Sequence, residues 1–272
     1  MNSPIPRHGL SRVLSKLGYC SRAEARRLIL AGQVEVNGRI CLDPERPTLQ
    51  GREVLRVAGE VVQSQPKVYL MLNKPRGLVT TASDEKGRAT VFQCLHADPW
   101  GSPALMGNAS SDAVDFTSHR HGPISAPCLV HLSPVGRLDQ ASEGLLLFTN
   151  DTAWAAHLTD PRQAVEKVYH VQTDRRLEPE VLRRLMNGVE TLDGERLSAT
   201  RVQLLREGPK RCWLEVVLSE GRNRHIRRLL ESVGAQVDRL IRIRIGALEL
   251  GHLPKGRYRW LTRAETVALG PS

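Results

Sequence analysis

No apolar run among the 272 residues approaches the roughly 20 needed to cross a bilayer, which argues against a membrane-spanning helix. The stretch Met1 to Arg7 also lacks the apolar segment of a secretory signal, so a soluble, cytoplasmic, monomeric protein is expected. The five cysteines (Cys20, Cys41, Cys94, Cys128, Cys212) are odd in number, widely spaced and without a C-x-x-C pair, a pattern of reduced thiols rather than of a disulfide framework. Cys128 and His131 stand three apart, but no second Cys/His pair completes four ligands, so no metal is expected. A P-loop and a dinucleotide fingerprint are missing too, and no cofactor is expected. Acidic residues are in deficit, 29 against 39 Lys and Arg, for a net charge of +10. A small-metabolite enzyme has no use for that surplus, and a polyanionic partner is the first inference. With 40% apolar and 25% charged residues the chain can fill one or two ordinary cores, which excludes disorder throughout.

Residues 7–61 read as a small unit of helix, helix and hairpin. Leu10, Val13, Leu14 and Leu17 recur at helical spacing before Gly18. Ser21 and Glu24 have the spacing that opens a second helix, with Ala25, Leu28 and Ile29 as its buried stripe. Val34-Glu35-Val36 then alternates before Asn37-Gly38, a hairpin dipeptide. Arg12 and Lys16 form a basic ridge on the first helix, and Arg22, Arg26 and Arg27 form one on the second. From Arg7 to Arg39 there are seven basic and two acidic residues, which suits either a solvated face or an RNA-binding one.

Residues 62–66 read as a linker and 67–270 as a second domain. Its first strand is expected at Val68–Leu72, broken by the turn chemistry of Asn73-Lys74-Pro75-Arg76-Gly77. Further strands are expected at Leu78–Thr81, Val130–Leu132, Gly144–Phe148, Val168–Thr173, Thr200–Leu205, Cys212–Leu218 and Leu240–Ile245. Helices are expected at Thr152–Leu158, Pro179–Met186, Arg224–Val233 and, from the Thr262/Glu265 pair, at the end of the chain. The pattern is α+β around a mostly antiparallel sheet. His96–Pro127 has no periodicity and reads as a mobile surface insertion.

The segment Pro134-Val135-Gly136-Arg137-Leu138-Asp139-Gln140-Ala141-Ser142-Glu143-Gly144-Leu145-Leu146-Leu147-Phe148-Thr149-Asn150-Asp151 is a polar loop feeding an apolar strand. Taken alone, its Asp139 is an ordinary turn or cap residue. The segment resembles the signature of bacterial rRNA pseudouridine synthases of the RsuA-like family, G-R-L-D-x-x-[TS]-x-G-L-L-L-x-T-N-D, in which the Asp is catalytic. The resemblance extends to Leu72-Asn73-Lys74-Pro75, Gly87–Phe92, Lys167-Val168-Tyr169, Glu220–Arg228 and Leu240–Gly246, and to the first sixty residues, which resemble a small RNA-binding fold of ribosomal-protein type. Ser142, where Thr is commoner, and the long insertion depart from the pattern.

The resemblance implies isomerisation of uridine to pseudouridine in ribosomal RNA, free or within a ribosome assembly intermediate. Asp139 would then attack C1′ of the ribose as a nucleophile or remove a ribose proton as a base. It assigns Arg227 as the cation that pairs with Asp139, and Tyr169 as an active-site ring that stacks on the target base. Ile245 would wall the base, Arg137 would bind substrate, and Arg222, Arg224 and Arg228 would bind phosphates. The target uridine is stacked in RNA and must be flipped out, at a cost that phosphate contacts offset. Arg222 to Arg263 carries eleven basic and three acidic residues. Two rival readings are a non-catalytic RNA-binding assembly factor on the same fold, and a glycoside or nucleoside hydrolase. The second needs paired carboxylates, and Glu143 is the nearest acid to Asp139 in the chain.

Overall fold

The computed structural model describes residues 7–82, 84–96 and 131–270. The chain divides into two compact units, one up to Tyr69 and one from Leu70 onward, with Thr149–Thr152 and the residues just before Pro134 grouped with the first.

In the first unit β1 (His8–Gly9) leads into α1 (Leu10–Lys16) and α2 (Arg22–Leu30), followed by β2 (Val34–Val36), β3 (Arg39–Ile40), β4 (Pro47–Thr48), β5 (Leu55–Val57) and β6 (Glu60–Val61). The Ser21 hydroxyl accepts the Glu24 N–H at 3.1 Å. The reciprocal half of a capping box is absent from this start, because the Glu24 carboxylate turns to Arg27. Asn37 and Gly38 take positive φ, 53° and 75°, and join the antiparallel β2 and β3. Leu10, Val13, Leu14, Ala25, Ile29, Val34 and Val57 close the core, leaving Arg12, Arg22, Arg26 and Arg27 outside.

The second unit is a twisted mixed sheet with helices. Its elements are β7 (Tyr69–Lys74), α3 (Phe92–His96), β8 (Ser133–Val135), β9 (Glu143–Thr149), α4 (Thr152–Thr159), β10 (Lys167–Thr173), α5 (Pro179–Asn187), β11 (Val189–Glu190) and β12 (Arg196–Leu197). They continue through β13 (Arg201–Glu207), β14 (Cys212–Leu218), α6 (His225–Glu231), β15 (Val237–Ile245), β16 (Leu248–Glu249), β17 (Tyr258–Trp260) and α7 (Arg263–Leu269). The large sheet runs β13-β14-β10-β15-β9-β7-β17, with β8 on β9 and β16 on β15. Strand β10 is antiparallel to both neighbours, while β9 and β15 run parallel. Every residue of β9 is buried, as expected for a strand covered on both faces. Gly144 allows the parallel pair to close: at φ +100° its backbone sits so near Arg242 that a Cβ would lie 2.2 Å from the Arg242 carbonyl oxygen. Thr262 and Glu265 complete a full capping box on α7.

Three expectations are corrected. The first strand continues through Asn73 and Lys74, both buried, and the turn begins only at Pro75. Leu78–Thr81 is not a strand. Val79 makes an isolated parallel bridge with Thr90, and the Thr80 hydroxyl is committed to the Leu138 backbone. The strand expected at Val130–Leu132 begins instead at Ser133, and Val130 lies outside the described residues. Also outside them are Cys128 and the His96–Pro127 insertion beyond His96, where α3 ends.

Candidate active site

Asp139 lies in the loop between β8 and β9, and the turn after β7 holds that loop on both sides. Upstream of it, the Thr80 hydroxyl donates to the Leu138 carbonyl at 2.7 Å and accepts the Leu138 N–H at 3.4 Å. Downstream, the Gly77 N–H donates to the Gln140 carbonyl at 2.8 Å, and the Gln140 amide donates back to the Gly77 carbonyl at 3.0 Å. The Ser142 N–H closes the loop onto the Asp139 carbonyl at 3.0 Å. The seven residues 136–142 therefore hold one conformation because another segment satisfies much of their backbone.

Beneath the loop is Lys74, fully buried at the end of β7. Its ammonium donates to the Ser142 carbonyl at 2.8 Å, the Pro75 carbonyl at 3.0 Å and, at 3.5 Å, the Gln140 carbonyl. Burial pulls its pKa down to about 8, against the opposing pull of the Asp139 and Glu143 carboxylates. Deprotonation would leave two donors for three carbonyls and place a lone pair against an oxygen. The expected result is an alkaline limb near pH 8 in the single-turnover rate. Lys74→Met should lower the rate and remove that limb, and a limb unchanged in the variant would assign it elsewhere. Stability should move the opposite way. The unfolded chain keeps this amine protonated to about 10.4, so the group's contribution to stability rises between pH 8 and 10.

Arg227 projects from α6. Its Nε lies 3.8 Å from Asp139 Oδ2, with the side chains 14% and 37% exposed respectively. Nη1 donates to the Val237 carbonyl at 3.1 Å, and Nη2 is buried without a partner among the described residues. Burial lowers the Arg227 pKa, the Asp139 charge resists, and Arg224 and Arg76 lower it further. It remains a cation at neutral pH. Asp139 also lines a cleft of 580 Å³ together with Thr80, Lys86, Arg137, Leu138 and Gln140 among others, within the usual range for a small-ligand pocket. Arg137 is exposed at its wall.

The remaining expected residues are distributed unevenly. Tyr169, 8% exposed, stands in β10 opposite Arg242, and Arg242 stands opposite Gly144. Ile245 is buried in the same sheet opposite Lys167. No hydrogen bond joins Tyr169 to Asp139 among the described residues. Arg222 is paired with Glu195 and Glu220, and Arg228 with Asp193 at 2.7 Å and Glu195 at 2.6 Å, so both guanidinium groups are already neutralised. Arg224 is exposed, in a left-handed conformation just before α6. In the first unit Arg27 is paired with Glu24, and Lys16 shares a 2.7 Å hydrogen bond with His8. Arg12, Arg22 and Arg26 are exposed.

Sequence reasoning gave Lys74 to a turn and missed its place under the loop. Glu143 also differs from its expected setting. It is buried in β9 and paired with Arg239 at 2.7 Å and with Lys255, which leaves no free acid there to form a hydrolase pair with Asp139.

The sequence model of RNA pseudouridylate synthases matches residues 68–232, more than half of the chain and the whole stretch from β7 through α6. The chain belongs to that family. As an RNA pseudouridine synthase it is an isomerase, and the match includes Lys74, Asp139, Tyr169 and Arg227. Residues 9–54 match the S4 domain. An uncharacterised RNA pseudouridine synthase of Rickettsia prowazekii is 34% identical over 253 residues, 92% of each chain. The ribosomal large subunit pseudouridine synthase B of Salmonella typhimurium is 34% identical over 263 residues, covering 94% of this chain and 80% of the relative. A crystal structure of a pseudouridylate synthase superposes with a TM-score of 0.60 at 23% identity, covering 96% of this chain and 99% of that one, which shows the shared fold. No helix among the described residues is long and apolar enough to cross a membrane.

Proposed function

We propose that this pseudouridine synthase converts a uridine of large-subunit ribosomal RNA, with Asp139 as the carboxylate that acts on the ribose. The observation that carries the reading is the Asp139–Arg227 pair at 3.8 Å, on a loop fixed by the β7 turn and beside an open cleft. In the reaction the N1–C1′ bond breaks, the uracil turns, C5 joins C1′, and the C5 proton leaves while N1 gains one. The change is redox-neutral and needs neither water nor a nucleotide. Nucleophilic attack and proton abstraction both begin at a carboxylate, and Arg227 stands beside this one as its neighbouring cation. Tyr169 and Ile245 would bound the base from the sheet, and Arg137 would meet the substrate at the cleft wall. The large-subunit assignment follows the names of the Salmonella typhimurium relative and of a 35% identical one in Haemophilus influenzae. The protein would act as a cytoplasmic monomer on rRNA or an assembly intermediate. Mapping pseudouridines in rRNA from cells with and without the gene tests the substrate, and an unchanged large-subunit map would refute it.

The S4 match gives the first unit the task of gripping RNA. Joint replacement of Arg12, Arg22 and Arg26 by Ala should flatten the slope of log affinity against log salt by about two to three, one counterion for each lost phosphate contact. Arg27→Ala should change it less, since Glu24 already neutralises that charge. A filter-binding salt series measures both, and an unchanged slope in the triple variant would make the ridge a solvated face.

A further inference from the structure

The catalytic unit has few unspent cations near Asp139. Arg227 is engaged with Asp139 and the Val237 carbonyl, Arg222 with Glu195 and Glu220, and Arg228 with Asp193 and Glu195. Arg224, Arg76, Arg137 and Lys86 carry no ion pair among the described residues, and of these Arg224 and Arg76 act on Arg227. Both of the latter are exposed. Arg76 is also well placed by its backbone. It precedes Gly77, which exchanges two hydrogen bonds with Gln140, the residue after Asp139. It follows Pro75, whose carbonyl is held by the buried Lys74 ammonium. The guanidinium therefore extends from a turn fixed to the same loop as the reacting carboxylate.

RNA chemistry supplies the ligand. The ribose whose C1′ must reach Asp139 carries a phosphodiester on each side, and these anions cannot stay distant from the carboxylate. Like charges brought together in a partly desolvated cleft repel unless a cation lies between or beside them. We propose that Arg76 binds a phosphodiester flanking the target uridine and so positions the ribose over Asp139. The proposal rests on Asp139 as the reacting group. A guanidinium suits this task because its planar fork can hold two phosphate oxygens at once.

The test uses the full-length protein and a hairpin RNA centred on the uridine identified by rRNA mapping, with one linkage at a time replaced by an uncharged methylphosphonate. In the parent protein, neutralising a linkage that flanks the target should weaken binding about tenfold. In Arg76→Ala the same replacement should cost almost nothing more, whereas neutralising remote linkages should cost parent and variant alike. Arg76→Ala should also lower the salt slope by about one, and Arg76→Lys should keep the slope while recovering only part of the affinity. The single-turnover rate at saturating protein should also fall, by about threefold to tenfold, because the ribose is no longer held over Asp139. Equal flanking-linkage losses in parent and Arg76→Ala, or an unchanged salt slope, would overturn the proposal. The readout is binding, so it stays separate from the role of Asp139. An active Asp139→Ala protein would defeat the reading of the site without altering the linkage profile.

Discussion

Asp139→Asn should lower pseudouridine formation by at least about a thousandfold while RNA affinity stays within about threefold of the parent. The amide keeps the size and the loop hydrogen bonds, which use the main chain of residues 138–142 and not the carboxylate. What it removes is the negative charge and the nucleophilic oxygen. Affinity should hold because a carboxylate contributes no attraction toward phosphates. Stability should change by no more than about 1 kcal/mol, since the side chain is more than a third exposed and its Arg227 contact is long. Release of tritium from RNA labelled at uridine C5 reports the reaction directly, because C5 must lose its hydrogen to join C1′. Turnover within tenfold of the parent would remove Asp139 from the mechanism.

The second large effect is expected at Arg227, where charge and shape can be separated. Lys retains the charge but cannot both face Asp139 and donate to Val237 from a planar fork, so the chemical step should slow by about a hundredfold in a folded protein that still binds RNA. Leu should be slower still. It leaves the carboxylate without its neighbouring cation and removes the fork altogether. It also removes the hydrogen bond to the Val237 carbonyl, at a cost of about 1 kcal/mol, which a thermal melt would register. Arg224→Leu should instead weaken RNA binding modestly and leave the chemical step in place. Single-turnover rates and RNA affinities of the four proteins decide the matter. Loss of chemistry at Arg224 with loss of affinity alone at Arg227 would mean that the two roles are exchanged.

What could be read from the chain before folding was what neighbouring residues determine. The Ser21 cap, the Thr262–Glu265 box, the Asn37-Gly38 turn and the apolar run of β9 each depend on residues within a few positions of one another. Asp139 stood out through its motif, and Arg227 through another motif 88 positions away whose spatial partner the sequence does not state. The misreadings share the opposite cause. A lysine followed by proline reads as an exposed turn, and only the three carbonyls that converge on Lys74 make its burial tolerable. Arg222 and Arg228 look like free phosphate ligands because the acids that neutralise them, Asp193 and Glu195, come from the hairpin of β11 and β12. The segment 78–81 has the β-branched content of a strand, but its polar groups are used by the Leu138 backbone, which no local pattern records.

The parallel pairing of β9 with β15 also has a consequence in time. Glu143 meets Ile241 and Gly144 meets Arg242, partners about 100 residues later in the chain, and β7 waits longer still for β17, where Leu72 meets Tyr258. At a synthesis rate of about 5–20 residues per second, the strand that follows Asp139 is made some 5–20 s before its partner exists. Loop closure over that span must be offset by contacts that form only at the end. A growing chain thus carries Asp139 for many seconds without the frame that holds its loop, and the fold is complete only as its last strands dock.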